Sequence, residues 1–132
     1  MSDADAPRAR AIVIGHGEFS AGLVSAVEQI TGMSDRFVCL SNTGMGPGDI
    51  EALLRSSVAS AGVSVIFTDL PAGSATLAAR RVARDSSELV LVSGVNLATL
   101  LDFACSTADS PGDAARAAAE RGRASLVVLE RR

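Results

Sequence analysis

A chain of 132 residues with 48% hydrophobic content and a mean hydropathy of +0.31 amounts to one domain with ample apolar surface for a core, which excludes a chain disordered throughout. Charged residues make up 20%, the formal net charge is -3 and all twelve cationic side chains are arginine, so no single-signed field points to nucleic acid or to an anionic membrane. An aromatic content of 3%, without Trp or Tyr, argues against base stacking as well.

The first ten residues, MSDADAPRAR, hold acids and a proline but no apolar run of a secretory signal; they are expected to be a flexible tail ahead of a single domain over 11–132. No stretch approaches the roughly 18 consecutive apolar residues of a bilayer span. A first strand is expected at Ala11–Gly15, followed at once by His16, the chain's single histidine. The segment Ala21–Ile30 then repeats apolar residues at Leu23, Val27 and Ile30, with Gly32 as its stop, which predicts a helix. After a strand at Phe37–Ser41, Asp49 is expected to cap a helix over Asp49–Arg55 with Ile50, Leu53 and Leu54 on one stripe. A third strand, Val63–Thr68, runs into Asp69 and the turn Leu70-Pro71-Ala72-Gly73-Ser74. The helix Ser74–Arg84 follows and ends in cations, as its dipole favours. A fourth strand is expected at Leu89–Ser93. Leu97–Ser106 and Asp113–Arg121 both read as helical, with Ser110-Pro111-Gly112 breaking them, and a last strand is expected at Ser125–Glu130. Cys39 and Cys105, without metal or redox spacing, read as reduced, buried core thiols.

Strands that are apolar runs rather than clean alternations, separated by helices, indicate an α/β domain with a mainly parallel sheet covered by helices on both faces; an open sheet of order 2-1-3-4 is the expected arrangement. One helix returns the chain to the start of the sheet; two return it to the end where the fourth strand finished. The fifth strand is therefore expected to be antiparallel and at an edge. It is unusually apolar for an edge, so it should pair with something or exchange into a partner chain.

In such sheets ligands bind beyond the carboxyl ends of the strands, where the winding reverses. With this strand order that point lies between the first and third strands, which deliver His16 and Asp69 to neighbouring ends. A carboxylate accepting from Nδ1–H fixes the imidazole tautomer and leaves Nε2 as a nucleophile. Gly15 and Gly17 flank His16 beside the start of a helix, and Gly73 and Ser74 open the next helix, so backbone N–H groups face an anion from both sides. The simpler readings are that His16 is a polar surface residue at a strand end, that Asp69 caps its own turn and that Ser74 caps its helix; Asn96 stands as a candidate for lining the same rim, with a helix cap as its simpler reading. Neither glycine pattern is a GxGxxG fingerprint or a P-loop, and without lysine a nucleotide site is not expected.

Three segments, Ala11-Ile12-Val13-Ile14-Gly15-His16-Gly17-Glu18-Phe19-Ser20-Ala21-Gly22-Leu23, Ile66-Phe67-Thr68-Asp69-Leu70-Pro71-Ala72-Gly73-Ser74 and Ser93-Gly94-Val95-Asn96-Leu97, together resemble the enzyme IIA component of the mannose family of the phosphoenolpyruvate-dependent sugar phosphotransferase system. The resemblance covers the chain from Ala11 onward. It implies a cytoplasmic phosphotransferase with a phosphohistidine intermediate, taking a phosphoryl group from the carrier HPr on His16 and passing it to a IIB component for carbohydrate uptake. Asp69 matches the family's carboxylate partner, and Gly73 and Ser74 match its phosphate-binding loop, beside Gly17. Further implications are a homodimer that exchanges its C-terminal strand, association with a membrane permease complex without insertion of this chain, and no cofactor or metal. The family commonly has two glycines followed by Ser-Pro where this chain has Ala72-Gly73-Ser74-Ala75. With no IIB-like segment before Arg132, a free-standing subunit is expected. The phosphotransfer subunit of a dihydroxyacetone kinase, or a regulatory domain read out by its phosphorylation state, would use the same residues.

Overall fold

A computed structural model describes residues 9–131. Four parallel strands, β1 (Ala11–Gly15), β2 (Phe37–Ser41), β3 (Val65–Thr68) and β4 (Val90–Ser93), form one sheet of order β2-β1-β3-β4. Five α-helices connect and cover it: α1 (Phe19–Thr31), α2 (Pro47–Ala61), α3 (Ser74–Arg84), α4 (Leu97–Cys105) and α5 (Pro111–Ala124). The α/β class and the strand order expected from the sequence are both observed.

Alternation along the strands explains the two layers. Ala11, Val13, Val65 and Phe67 pack with Val24 and Val27 of α1, Leu100 and Phe103 of α4, and the alanines of α5. On the opposite face Ile12, Ile14 and Ile66 pack with Ile50 and Leu54 of α2 and with Ala75, Ala78, Ala79 and Val82 of α3. β1 is buried along its whole length, as a strand with helices on both faces must be. At the centre of the first layer the Phe67 and Phe103 rings meet edge to face, 5.1 Å between centroids and 81° apart.

Several boundaries move. The glycine stop of α1 is in place, Gly32 being left-handed at φ 72° and donating to the Glu28 carbonyl, but Ile30 is exposed and Val24 takes its place inside. Helix α2 starts earlier and ends later than expected: Gly46 is its N-cap and Pro47 occupies the first turn, where a missing N–H costs nothing. Asp49 is thus a first-turn acid favoured by the dipole, not the cap. Ser110 caps α5 by accepting from the Asp113 N–H, so Ser110-Pro111-Gly112 starts that helix instead of merely separating two.

One expectation is corrected, and another, the C-terminal edge strand, is not seen within the described chain. Cys39 and Cys105 are free but exposed, not buried: Cys39 lies on the edge strand β2, and Cys105 is the last residue of α4. Ser125–Glu130 forms no strand in the described chain, because Ser125 still closes α5 and no strand of the same chain pairs with the residues beyond it. Leu126, Val127, Val128 and Leu129 are left 62 to 90% exposed. The expected tail over residues 1–10 lies outside the described residues up to residue 8. Arg10 is tied to the body, its N–H donating to the Arg36 carbonyl and its guanidinium reaching the Ala108 carbonyl over the Phe103 ring.

Candidate functional site

Register brings the site together. Ile14 stands opposite Thr68, so the next residues, Gly15 and Asp69, face one another across β1 and β3, with His16 one step further. From there one carboxylate oxygen meets both polar groups of His16. Asp69 Oδ2 accepts from the His16 main-chain N–H at 2.9 Å and from ring Nδ1–H at 2.7 Å. An ionised carboxylate has no proton to give, so Nδ1 carries the hydrogen, and in the neutral ring the free lone pair is that of Nε2. The imidazole side chain is 59% exposed, whereas that of Asp69 is only 9% exposed.

Burial alone would push the Asp69 carboxyl up. The His16 ring and main-chain N–H, with the charge of the ring and a smaller contribution from the Leu70 N–H, outweigh it and hold the group below the ordinary carboxylate range. Its second oxygen, Oδ1, is sealed from solvent without a well-formed hydrogen bond. The close approach needs glycine at position 15, since a Cβ there would stand 2.9 Å from Asp69 Oδ2 and 2.9 Å from the Phe19 ring.

Of the other residues singled out from sequence, Gly73 lies against the imidazole: a Cβ on it would be 3.7 Å from His16 Cε1. Gly73, not Ser74, is the N-cap of α3, and no side chain caps that helix. Its first-turn N–H groups are therefore without intrahelical acceptors at the same end of the sheet as His16. Gly17 is left-handed at φ 53°, and its N–H is already given to Thr43 Oγ1 at 3.2 Å. Asn96 is the cap of α4, accepting from the Thr99 N–H at 3.0 Å and donating to the Gly122 carbonyl of α5 at 2.9 Å. Its side chain is spent on those helices.

Sequence reasoning passed over the loop after β2. Thr43 supports Gly17, and Asn42 donates through Nδ2 to Ser74 Oγ at 3.4 Å. It also passed over a hydroxyl cluster beneath the Asp69 loop. Thr68 Oγ1 contacts Thr76 Oγ1 at 2.7 Å and Ser93 Oγ at 2.9 Å, and Thr76 donates to the Leu70 carbonyl, fastening the turn to α3. The available signals were the polar residues directly beyond β2 for the loop and the hydroxyl residues that end β3 and β4 for the cluster. Among the described residues no three His, Cys, Asp or Glu side chains converge as a metal site would require.

A family model described as "PTS system fructose IIA component" matches residues 10–120 of the chain. The chain belongs to this family. IIA proteins of the phosphotransferase system are also its structural neighbours. The mannose/sorbose-specific IIA subunit from Enterococcus faecalis superposes with a TM-score of 0.81 at 19% identity, over 95% of this chain and 97% of the other. The phosphotransferase system component EIIA from Streptococcus agalactiae gives 0.81 at 22% identity, over 90% and 95%. The IIA protein associated with the fucose utilization operon of Streptococcus pneumoniae gives 0.77 at 20% identity, over 92% and 93%. Comparison with curated proteins finds no match. In this IIA component no described helix is long and apolar enough to cross a membrane.

Proposed function

We propose that this IIA component is a phosphoryl carrier whose His16 Nε2 takes the group from phosphohistidine on HPr and yields it to a IIB component, in support of carbohydrate uptake. The observation that carries the reading is the bond from Nδ1–H to Asp69 Oδ2, which puts the lone pair of the neutral ring on Nε2, in a side chain that is 59% exposed. In an in-line displacement the P–N bond on the donor breaks as the P–Nε2 bond forms, and no proton has to leave His16. The Asp69 charge stabilises the cationic character that the ring gains, and the uncapped start of α3, with Gly73 and Ser74, faces the phosphoryl oxygens. Transfer of this kind depends on positioning and charge, and needs no metal or cofactor.

The reading includes a cytoplasmic homodimer that works beside a membrane permease complex. Its support is the exposed apolar run Leu126–Leu129 together with the free edge of β4, where a cavity of about 720 Å³ is lined by Val90–Asn96, α5 and Leu126. An unpaired edge and an unpaired apolar segment are complementary in a two-fold exchange.

The test is incubation with phosphoenolpyruvate, enzyme I and HPr, followed by intact-mass measurement. The wild type should gain one acid-labile phosphoryl mass, His16→Ala should gain none, and added IIB should discharge the label. Absence of label on the wild type, or undiminished label on His16→Ala, overturns the reading.

A further inference from the structure

Asn42 is the one residue just beyond β2 that reaches both sides of the site. It is 6% exposed; its main-chain N–H donates to the Gly15 carbonyl at 3.1 Å, and its carbonyl accepts from the Met45 N–H at 3.1 Å. These bonds hold its backbone on the strand end that presents His16. Its side-chain Nδ2 then donates across to Ser74 Oγ, the first residue of α3.

Ser74 does not cap its helix, since Gly73 holds that position, and its hydroxyl makes no other hydrogen bond among the described residues. A hydroxyl has one proton and two lone pairs. With one lone pair taken by the Asn42 amide, the proton of Ser74 is left to be donated, at the helix start next to the Gly73–His16 contact. We propose that Asn42 is a positioning residue that makes the Ser74 hydroxyl a hydrogen-bond donor to the phosphoryl group on His16. The inference rests on the carrier reading above. It assigns a role to Asn42, in the loop after β2 that sequence reasoning passed over.

The test is single-turnover phosphorylation by phospho-HPr, followed by the hydrolysis lifetime of phospho-His16, for the wild type, Asn42→Ala, Ser74→Ala and the double variant. Loss of a hydrogen bond to a charged group should slow Ser74→Ala about tenfold or more. If Asn42 acts through Ser74, Asn42→Ala is slowed by a comparable factor and the double variant is no slower than Ser74→Ala, because coupled residues are not additive. Asn42→Asp, which keeps the shape but accepts the Ser74 proton, should be slower still than Asn42→Ala. An Asn42→Ala variant at the wild-type rate overturns the proposal, as does a double variant whose loss is the product of the single losses. Asn42→Asp at the wild-type rate overturns it even where Asn42→Ala fails to fold. A wild type that takes no label overturns the carrier reading itself, which separates the two failures.

Discussion

Replacing Asp69 by asparagine separates two contributions that the carboxylate makes together. In the wild type Oδ2 accepts both the His16 main-chain N–H at 2.9 Å and Nδ1–H at 2.7 Å. An asparagine must still meet that main-chain N–H with an oxygen, because an NH₂ group there would place donor against donor. The amide oxygen is thereby held where Oδ2 was, so the tautomer of His16 survives and only the charge is lost. A hydrogen bond involving a charged partner contributes about 1.5–3 kcal/mol against about 0.5–1.5 for a neutral one. The difference, about 1–1.5 kcal/mol, is kept at its lower end by solvent around a ring that is 59% exposed. Phosphorylation by phospho-HPr should therefore slow roughly 5- to 10-fold in Asp69→Asn. Asp69→Ala loses the orienting bonds as well, and should slow about 30- to 100-fold. Rapid-quench mass spectrometry reads both rates. Equal losses in the two variants would show that the main-chain N–H does not hold the amide, and a wild-type rate in Asp69→Asn would show that the charge takes no part.

The depressed Asp69 carboxyl also links stability to pH. A folded-state pKa below the unfolded value adds stability above the unfolded pKa, about 3.9, and loses it as pH falls through the folded one. The unfolding free energy of the wild type over Asp69→Asn, from denaturant titrations, should be largest above about pH 5 and shrink steadily toward about pH 2; an advantage that grows on acidification contradicts the assignment. Gly122→Ala should destabilise by about 3 kcal/mol or more, since its Cβ would fall 2.8 Å from Asn96 Oδ1 and closer still to Thr99 Oγ1 where α5 crosses α4. A thermal midpoint within a degree or two of wild type would mean that these helices can part cheaply. Val128→Asp should leave the monomer fold intact, since the side chain is 81% exposed, yet lower the oligomeric mass in sedimentation. An unchanged mass would remove the C-terminal run from the interface.

His16 and Asp69 were legible because each directly follows an apolar run, and in a parallel sheet consecutive runs end at the same side. The boundary of α2 was not, because Pro47 suits the first helical turn while Asp49 suits either a cap or that turn, and the backbone decided for Gly46. Asn42 was hidden for another reason. Its contribution is a side-chain bond to a residue 32 positions away, and neither periodicity nor capping preference reports such a pairing. The run after Ser125 has a strand's composition, but a strand is a relation between two segments and the chain supplies only one of them.

The paired hydrogen bonds that Asp69 Oδ2 accepts from the main chain and the ring of one residue make the orientation of that ring a property of the sheet. A ring clamped in this way has a single open direction. On the carrier reading, donor and acceptor must come to Nε2 along the same line, so they cannot be seated at once and must alternate. A surplus of either would exclude the other, making this chain a turnstile that registers the balance of its two neighbours.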